Sequence, residues 1–421
     1  DMGVRVSRKL FSPRAGIAYR AGPKWVFRTG YGINTDPYAL ARPMRTNHPV
    51  LVDLNVVGAN TFQFAGRTED GIPPIPVPDI SSGIIDIPGT VGAITLDDKF
   101  NRGYVESFNF VVQRELRGGF VGQAGYVGTR GSRQMVFQHL NYAEPGRGNA
   151  GRVLNQRFPG RTADTRVVRP FGTANYNALQ AQLDRRFSGG YQFHAAYTWS
   201  KAIAYADEAD DTLRFNAPQA LGRNRAVTGY DRTHNLATGF SAELPFGRRK
   251  RWAADGWSRH LAGGWLISGG FGALSGTPFF VTAAGTSLNA PNNTQTADQV
   301  QPRARKLGGA GPGESFFDPL AFRPVTEVRF GTSGVNNLRG PGVVNVDLGL
   351  FRDFSPSERV KVQFRAEVFN ATNTPHFNNP GTNVSNLQIR PDGSLNLRGY
   401  SEITSAQNDE RQFRFGLRVS F

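Results

Sequence analysis

Asp207, Glu208, Asp210 and Asp211 put four carboxylates into one short stretch of chain. Hard divalent cations take several carboxylate oxygens at once, so these residue types suggest a calcium or cationic-ligand site. Their order is not that of a helix–loop–helix calcium loop, and a solvated external loop explains the same residues and is the weightier reading. The six histidines (His48, His139, His194, His234, His260 and His376) are never four residues apart, so no two share a helix face as zinc ligands do in H-E-x-x-H. His194 falls on the polar side of an alternating segment, where a solvated side chain is the ordinary outcome. Cysteine is absent, which removes disulfides, thiolate metal sites and thiol nucleophiles. There is no G-x-S-x-G elbow and no Walker A loop. Gly309, Gly311 and Gly313 sit in a loop with no helix after them, and read as turn-formers. The chain is therefore expected to hold no catalytic centre and no cofactor, and no metal beyond the acidic stretch.

Lysine and arginine number 49 against 33 acidic residues, a formal charge of +16. Such an excess suits nucleic acid, or a surface rich in phosphate such as lipopolysaccharide, which guanidinium groups bind in bidentate fashion. The basic residues are spread through the whole chain. Their one dense run, Arg248-Arg249-Lys250-Arg251, lies between two alternating segments and reads as an anchor at lipid headgroups. No helix-turn-helix or aromatic RNA-binding signature accompanies it, so nucleic acid is not expected as a partner.

Period-2 alternation dominates the sequence. Phe413, Phe415, Leu417, Val419 and Phe421 alternate with Gln412, Arg414, Gly416, Arg418 and Ser420. Val360, Val362, Phe364, Ala366 and Val368 alternate with Lys361, Gln363, Arg365 and Glu367. In a strand the two sets point to opposite faces. Eleven such segments are expected, at 14–20, 24–33, 105–116, 120–129, 176–187, 190–201, 232–245, 262–274, 343–354, 358–370 and 410–421. Several are about 10–12 residues long, enough for a tilted strand to cross a bilayer. No apolar run reaches the roughly 18 residues of a transmembrane helix. Only 39% of residues are hydrophobic, while Gly (50) and Phe (31) are frequent, as in strands that are apolar on one face only.

The connections alternate in length. Tight turns stand at Ala21-Gly22-Pro23, Arg117-Gly118-Gly119, Ser188-Gly189-Gly190 and Ser355-Pro356-Ser357, with a mid-sized basic turn from Phe246 to His260. Long loops fill 34–104, 130–175, 202–231, 275–342 and 371–409, with Asn292, Asn293 and the proline-rich 73–78 read as extended external loop. Short turns on one side and long loops on the other are the plan of an outer-membrane barrel, with the short turns periplasmic. The expected fold is all-β, an antiparallel transmembrane β-barrel. Trp25, Tyr31, Tyr191, Tyr197, Trp199 and Trp265 near segment ends fit its aromatic girdles. Counting back from Phe421, an odd number of strands puts the first one's start outside. The eleven strands are thus expected to belong to a larger barrel whose beginning lies upstream, since an open sheet in lipid leaves two edges unpaired.

A collinear series of short motifs resembles the Oar-like barrel of TonB-dependent receptors. The series runs through Asn109-Phe110-Val111-Val112-Gln113-Arg114-Glu115-Leu116, Ala124-Gly125-Tyr126-Val127-Gly128-Thr129-Arg130-Gly131 and Asn175-Tyr176-Asn177-Ala178-Leu179-Gln180. It continues with Tyr197-Thr198-Trp199-Ser200-Lys201, Tyr230-Asp231-Arg232-Thr233-His234, Glu243-Leu244-Pro245-Phe246-Gly247 and Ser275-Gly276-Thr277-Pro278-Phe279. It closes with Leu338-Arg339-Gly340-Pro341-Gly342 and Phe364-Arg365-Ala366-Glu367-Val368-Phe369-Asn370. The resemblance implies a 22-strand type of barrel in the outer membrane of a Gram-negative bacterium, of which residues 1–421 are the C-terminal part. Plug and N-terminal regulatory-like domain would lie outside this chain. It implies gated uptake of an unidentified nutrient, energised by TonB through that N-terminal region. It also implies that Phe413, Phe415, Leu417, Val419 and Phe421 form the signal read by the barrel-assembly machinery. The family carries no catalytic residues. A surface or adhesion barrel, whose long loops bind external partners, is the alternative.

Overall fold

The computed structural model describes residues 5–6, 10–35, scattered positions between 66 and 83, and 89–421 other than 209–210, 248–249, 253–254, 258–260, 356 and 358. Each alternating segment is a strand: β1 (Arg14–Ala21), β2 (Trp25–Thr35), β3 (Tyr104–Glu115), β4 (Phe120–His139), β5 (Thr165–Ser188), β6 (Tyr191–Ala204), β7 (His234–Glu243), β8 (Trp265–Leu274), β9 (Val343–Phe354), β10 (Lys361–Phe369) and β11 (Gln412–Ser420). They pair in chain order, every neighbour antiparallel, in a single meander. Among the described residues β1 and β11 do not pair with each other, so the sheet has two free edges.

Register carries the alternation across strands. One row runs Tyr19, Phe27, Val112, Ala124, Ala181, Tyr197, Leu236, Ala273 and Val344. The next row on the opposite face runs Arg20, Val26, Gln113, Gln123, Gln182, Ala196, Ala237, Gly272 and Asn345. A one-residue slip anywhere would exchange the two faces, so one apolar and one polar face across the whole sheet fix its register. The apolar face is laid open: Ile17, Tyr19, Phe110, Leu179, Trp199, Phe413, Phe415 and Leu417 are all exposed. A face of this kind must be covered, and in a membrane barrel lipid covers it.

Above the strands, the long connections fold. The expected loop 130–175 is a correction, because β4 and β5 continue pairing through Met135–Pro170 to His139–Arg166. Alternation stops there for two reasons. A bulge with Arg133 at φ 56° breaks the register after Ser132. Beyond it Met135, Val136, Phe137, Val167 and Val168 are buried in succession, so both faces are apolar and the period-2 signal vanishes. The other loops share a core. Phe279, Val281, Phe316, Phe317 and Phe322 from 275–342 pack with Val384, Tyr400 and Ile403 from 371–409. Phe215 and Ala220 of 202–231 pack with Val335. Among the described residues, the largest cluster of buried hydrophobic side chains lies in this lobe, at the long-loop end of the sheet.

Candidate functional site

The polar face forms the wall of a cleft. A single cavity of about 1190 Å³ touches Arg20 of β1, Gln113 of β3, Asp184 of β5, His194 of β6, Asp347 of β9 and Glu367 of β10. Ten strands laid flat would separate the outermost of these by roughly 40 Å at about 4.8 Å per strand. The sheet therefore curls, with its polar face inside. Across β4, β5 and β6 this wall carries a hydrogen-bonded ladder: Gln123 donates to Gln182 (2.7 Å), Gln182 donates to Asp184 (2.7 Å), and His194 Nδ1 stands 2.6 Å from Asp184. His194 thus lies on the polar, cleft-facing side, as its place in the alternation implied.

The described residues of the acidic stretch do not converge. Asp207 accepts from the Gly229 N–H (2.9 Å) and faces Arg214 at 3.6 Å, while Asp211 accepts from the backbone N–H groups of Asp207 and Glu208. Asp210 lies outside the described residues. Among the described residues no group of three His, Asp or Glu side chains is placed to hold a metal ion. His234 meets the Tyr197 hydroxyl at 2.8 Å and His376 Nε2 lies 3.0 Å from the Val344 carbonyl. His48, His260, Arg248, Arg249 and the proline-rich 73–78 lie outside the described residues. In the rest of the basic turn, Lys250 pairs with Glu243 and the Arg251 guanidinium sits 5.3 Å from the Trp252 ring.

Residues that appeared in the sequence only as motif fragments are brought together where the lobe meets the sheet. Asp231, just above β7, has a side chain 1% exposed and takes the Ala202 N–H of β6 at 2.7 Å, filling a gap in the ladder with a carboxylate. Arg339 pairs with the same carboxylate and donates to the Asp231 carbonyl at 2.9 Å. Arg232 donates to the Ser275 carbonyl at 2.7 Å, and Arg339 stands opposite Pro278 in a two-residue ladder. A Cβ on Gly276 would fall 2.0 Å from the Gly340 carbonyl oxygen, so backbones cross there at a distance only glycine allows. The 371–409 loop joins through Asn379, which accepts from Thr277 at 3.1 Å. Asn292 and Asn293, read as ordinary loop, are joints as well. Asn292 donates to Asp164 at 2.9 Å, and Asn293 accepts from the N–H groups of Asn216 and Ala217 at 2.8 and 3.0 Å.

On β11, Phe413, Phe415, Leu417 and Val419 are exposed along the apolar face and Phe421 is fully exposed beyond it. They lie opposite Val368, Ala366, Phe364 and Val362, so the terminal strand extends the apolar surface of its neighbour. Apolar surface outside, polar cleft inside and long connections at one end make up the architecture of a membrane barrel wall. A family model described as an outer membrane beta barrel domain matches residues 1–414. The chain belongs to the outer membrane beta barrel domain family. Its place is the outer membrane of a Gram-negative bacterium.

Solved structures are similar to this outer membrane beta barrel chain at low identity. The outer membrane transporter YddB from Escherichia coli is 7% identical with a TM-score of 0.49, over 94% of this chain and 38% of its own. The FrpB iron transporter from Neisseria meningitidis is 12% identical with a TM-score of 0.43, over 99% and 40%. The siderophore receptor PiuA from Acinetobacter baumannii is 11% identical with a TM-score of 0.41, over 97% and 35%. The chain thus spans 35–40% of the length of these proteins. Comparison with curated proteins gives no match.

Proposed function

We propose that this chain is the C-terminal barrel wall of a TonB-dependent receptor that takes up a nutrient through a gated channel. The observation that carries the reading is the two-faced, curled sheet: an apolar outer surface around a polar cleft of about 1190 Å³. A polar inner face from β1 to β10 supports uptake in that it would let a hydrated solute pass along the wall. The free edges of β1 and β11 support completion of the barrel by further strands of a longer chain. The lobe at the long-loop end stands where an external ligand would arrive, and its motif-built joints hold the loops in one arrangement. A plug and the contact with TonB belong to the region outside this chain.

The test is uptake by cells carrying the full-length gene, its deletion, and the gene in a strain without TonB. Growth on a panel of iron chelates, oligosaccharides and peptides identifies the cargo. Uptake lost in both the deletion and the strain without TonB supports the proposal, and uptake that persists without TonB refutes it. Surface binding of a partner with no uptake of any cargo would favour the adhesion reading. The terminal strand is proposed as the signal read by the assembly machinery. Phe421→Ala should then lower the fraction of folded, heat-modifiable protein in the membrane, and an unchanged fraction would remove that role.

A further inference from the structure

The polar wall has one place where neutral hydrogen-bonding groups gather and charges are kept out. In the register of β3 to β6, Gln113 stands beside Gln123, Gln123 beside Gln182, and Gln182 beside Ala196. The next row toward the long loops runs Val111, Gly125, Gln180 and Thr198. Four glutamines and a threonine thus share the inner face over four strands, and neither row contains a charged residue. Asp184 and His194 stand side by side in the row beneath, toward the short turns.

Two short residues give the place its shape. A Cβ on Gly125 would fall 2.7 Å from the Phe110 carbonyl oxygen, so this position is held to glycine. Ala196 is almost as short. Gln123, Gln180, Gln182 and Thr198 therefore surround a niche of about 200 Å³ in the wall. It adjoins the large cleft, which Gln113, Asp184 and His194 line.

The groups around the niche are oriented and only partly satisfied. Gln123 donates to Gln182, and Gln182 donates to one oxygen of Asp184. The other oxygen takes the His194 Nδ1 proton, since a carboxylate can only accept. The chain of bonds runs one way, and each member stiffens the next. Its outer atoms are left over. Among the described residues Gln123 Oε1 accepts nothing, the side chains of Gln180 and Thr198 hold no hydrogen bond, and Gln113 Oε1 is buried without a partner. A buried acceptor without a partner is costly, and a donor brought in by a ligand would offset that cost.

This chemistry narrows the occupant. A side-chain amide both donates and accepts, as does every hydroxyl of a sugar. An ion would meet no counter-charge in either row. Peptides are recognised along a free strand edge or in side-chain pockets, and both edges of β3, β4, β5 and β6 are already paired. Gln123 lies three residues beyond Phe120, the first residue of β4. At about 3.3 Å per residue and a tilt of about 40°, that is roughly 8 Å above the short turns.

We propose that this niche is a transit subsite for a neutral, hydroxyl-rich solute of the saccharide class, occupied late in its passage to the periplasm. The inference rests on the uptake reading and narrows its cargo.

The test titrates the full-length protein in detergent with maltotriose, cellotriose, xylotriose, permethylated maltotriose or trialanine, and reads binding by saturation-transfer NMR. At least one free trisaccharide should bind, and the permethylated sugar, which cannot donate, should bind more weakly. Gln123→Leu/Gln182→Leu should weaken trisaccharide binding roughly tenfold, the scale of two neutral hydrogen bonds. Folding is checked by gel mobility without heating. If that variant does not fold, Gln180→Leu/Thr198→Val decides by the same criterion, because its side chains hold nothing else in place. Failure of every trisaccharide to bind overturns the proposal, as does binding that survives the changes. Equal binding of trialanine overturns the choice of a saccharide. TonB-dependent uptake of an iron chelate without saccharide binding sinks this inference and leaves the transport reading standing. Saccharide binding at the niche without any uptake keeps the subsite and sinks that reading.

Discussion

Removing the Asp231 carboxylate should loosen the lobe from the sheet by an amount that depends on what replaces it. In Asp231→Ala the Ala202 N–H loses its 2.7 Å acceptor in a site where the side chain is 1% exposed. A buried donor left unpaired costs about 1–3 kcal/mol. Arg339 also loses its counter-charge. A fully buried pair broken on one side costs about 3–5 kcal/mol. The Arg339 side chain is 34% exposed, however, so water recovers part of that, and the charge contributes about 1–2 kcal/mol. The expected total for Asp231→Ala is about 2–5 kcal/mol. Asp231→Asn keeps an acceptor for Ala202 and loses only the charge, for about 1–2 kcal/mol. Arg339→Ala should overlap with Asp231→Ala, so that the double change costs less than the sum by at least about 1 kcal/mol. Hydrogen exchange of the lobe amides reads these numbers as changes in local opening, while heat-modifiability of the sheet stays unchanged. Equal effects of Asn and Ala at 231, or full additivity with Arg339→Ala, would refute the assignment of Asp231 as the joint.

On the outer face Phe108 of β3 lies over its cross-strand partner Gly128, where a Cβ would come within 2.3 Å of the ring. Gly128→Val should therefore destabilise by about 1–3 kcal/mol in urea unfolding from lipid, and Phe108→Ala should relieve part of it; an additive double variant would contradict this packing. Burial pushes His139 from 6.5 down to about 4. Its folded pKa lies below the unfolded one, so this contribution is whole above pH 6.5 and is lost as the pH falls from 6.5 toward 4, by about 3 kcal/mol. Protease nicking of the lobe should rise over that window and flatten in His139→Asn; an unchanged slope in the variant would place the titrating group elsewhere.

The strands were legible because a wall between lipid and a polar interior forces strict alternation, as in Phe413 to Phe421, and tight turns such as Ser188-Gly189-Gly190 mark its ends. Legibility failed where both faces are covered. Met135, Val136 and Phe137 continue β4 into the lobe without alternating, and Arg133 resets the register by a bulge no pattern announces. The lobe core was missed for a related reason. Phe279, Phe317 and Tyr400 come from distant loops, and no periodicity links residues that meet only in three dimensions. The Asp231–Arg339 joint lay inside two motifs that were visible as strings, but their partnership spans 108 positions and needed the fold to appear. In the acidic stretch, where a solvated loop was the weightier reading, Asp207 and Asp211 turn to separate backbone groups.

The most direct measurement exploits the absence of cysteine from residues 1–421, which makes an introduced thiol unique within them once any cysteine elsewhere in the full-length protein is replaced. Single cysteines placed in turn from 412 to 420 along β11 carry a spin label in the full-length protein reconstituted into bilayers. Collision with oxygen, which concentrates in lipid, is compared with collision with a water-soluble nickel chelate. Labels at 413, 415, 417 and 419 should favour oxygen and those at 412, 414, 416 and 418 the chelate, alternating residue by residue. A profile without alternation, or one in which both sets favour the chelate, would contradict a strand facing lipid on one side and a polar channel on the other.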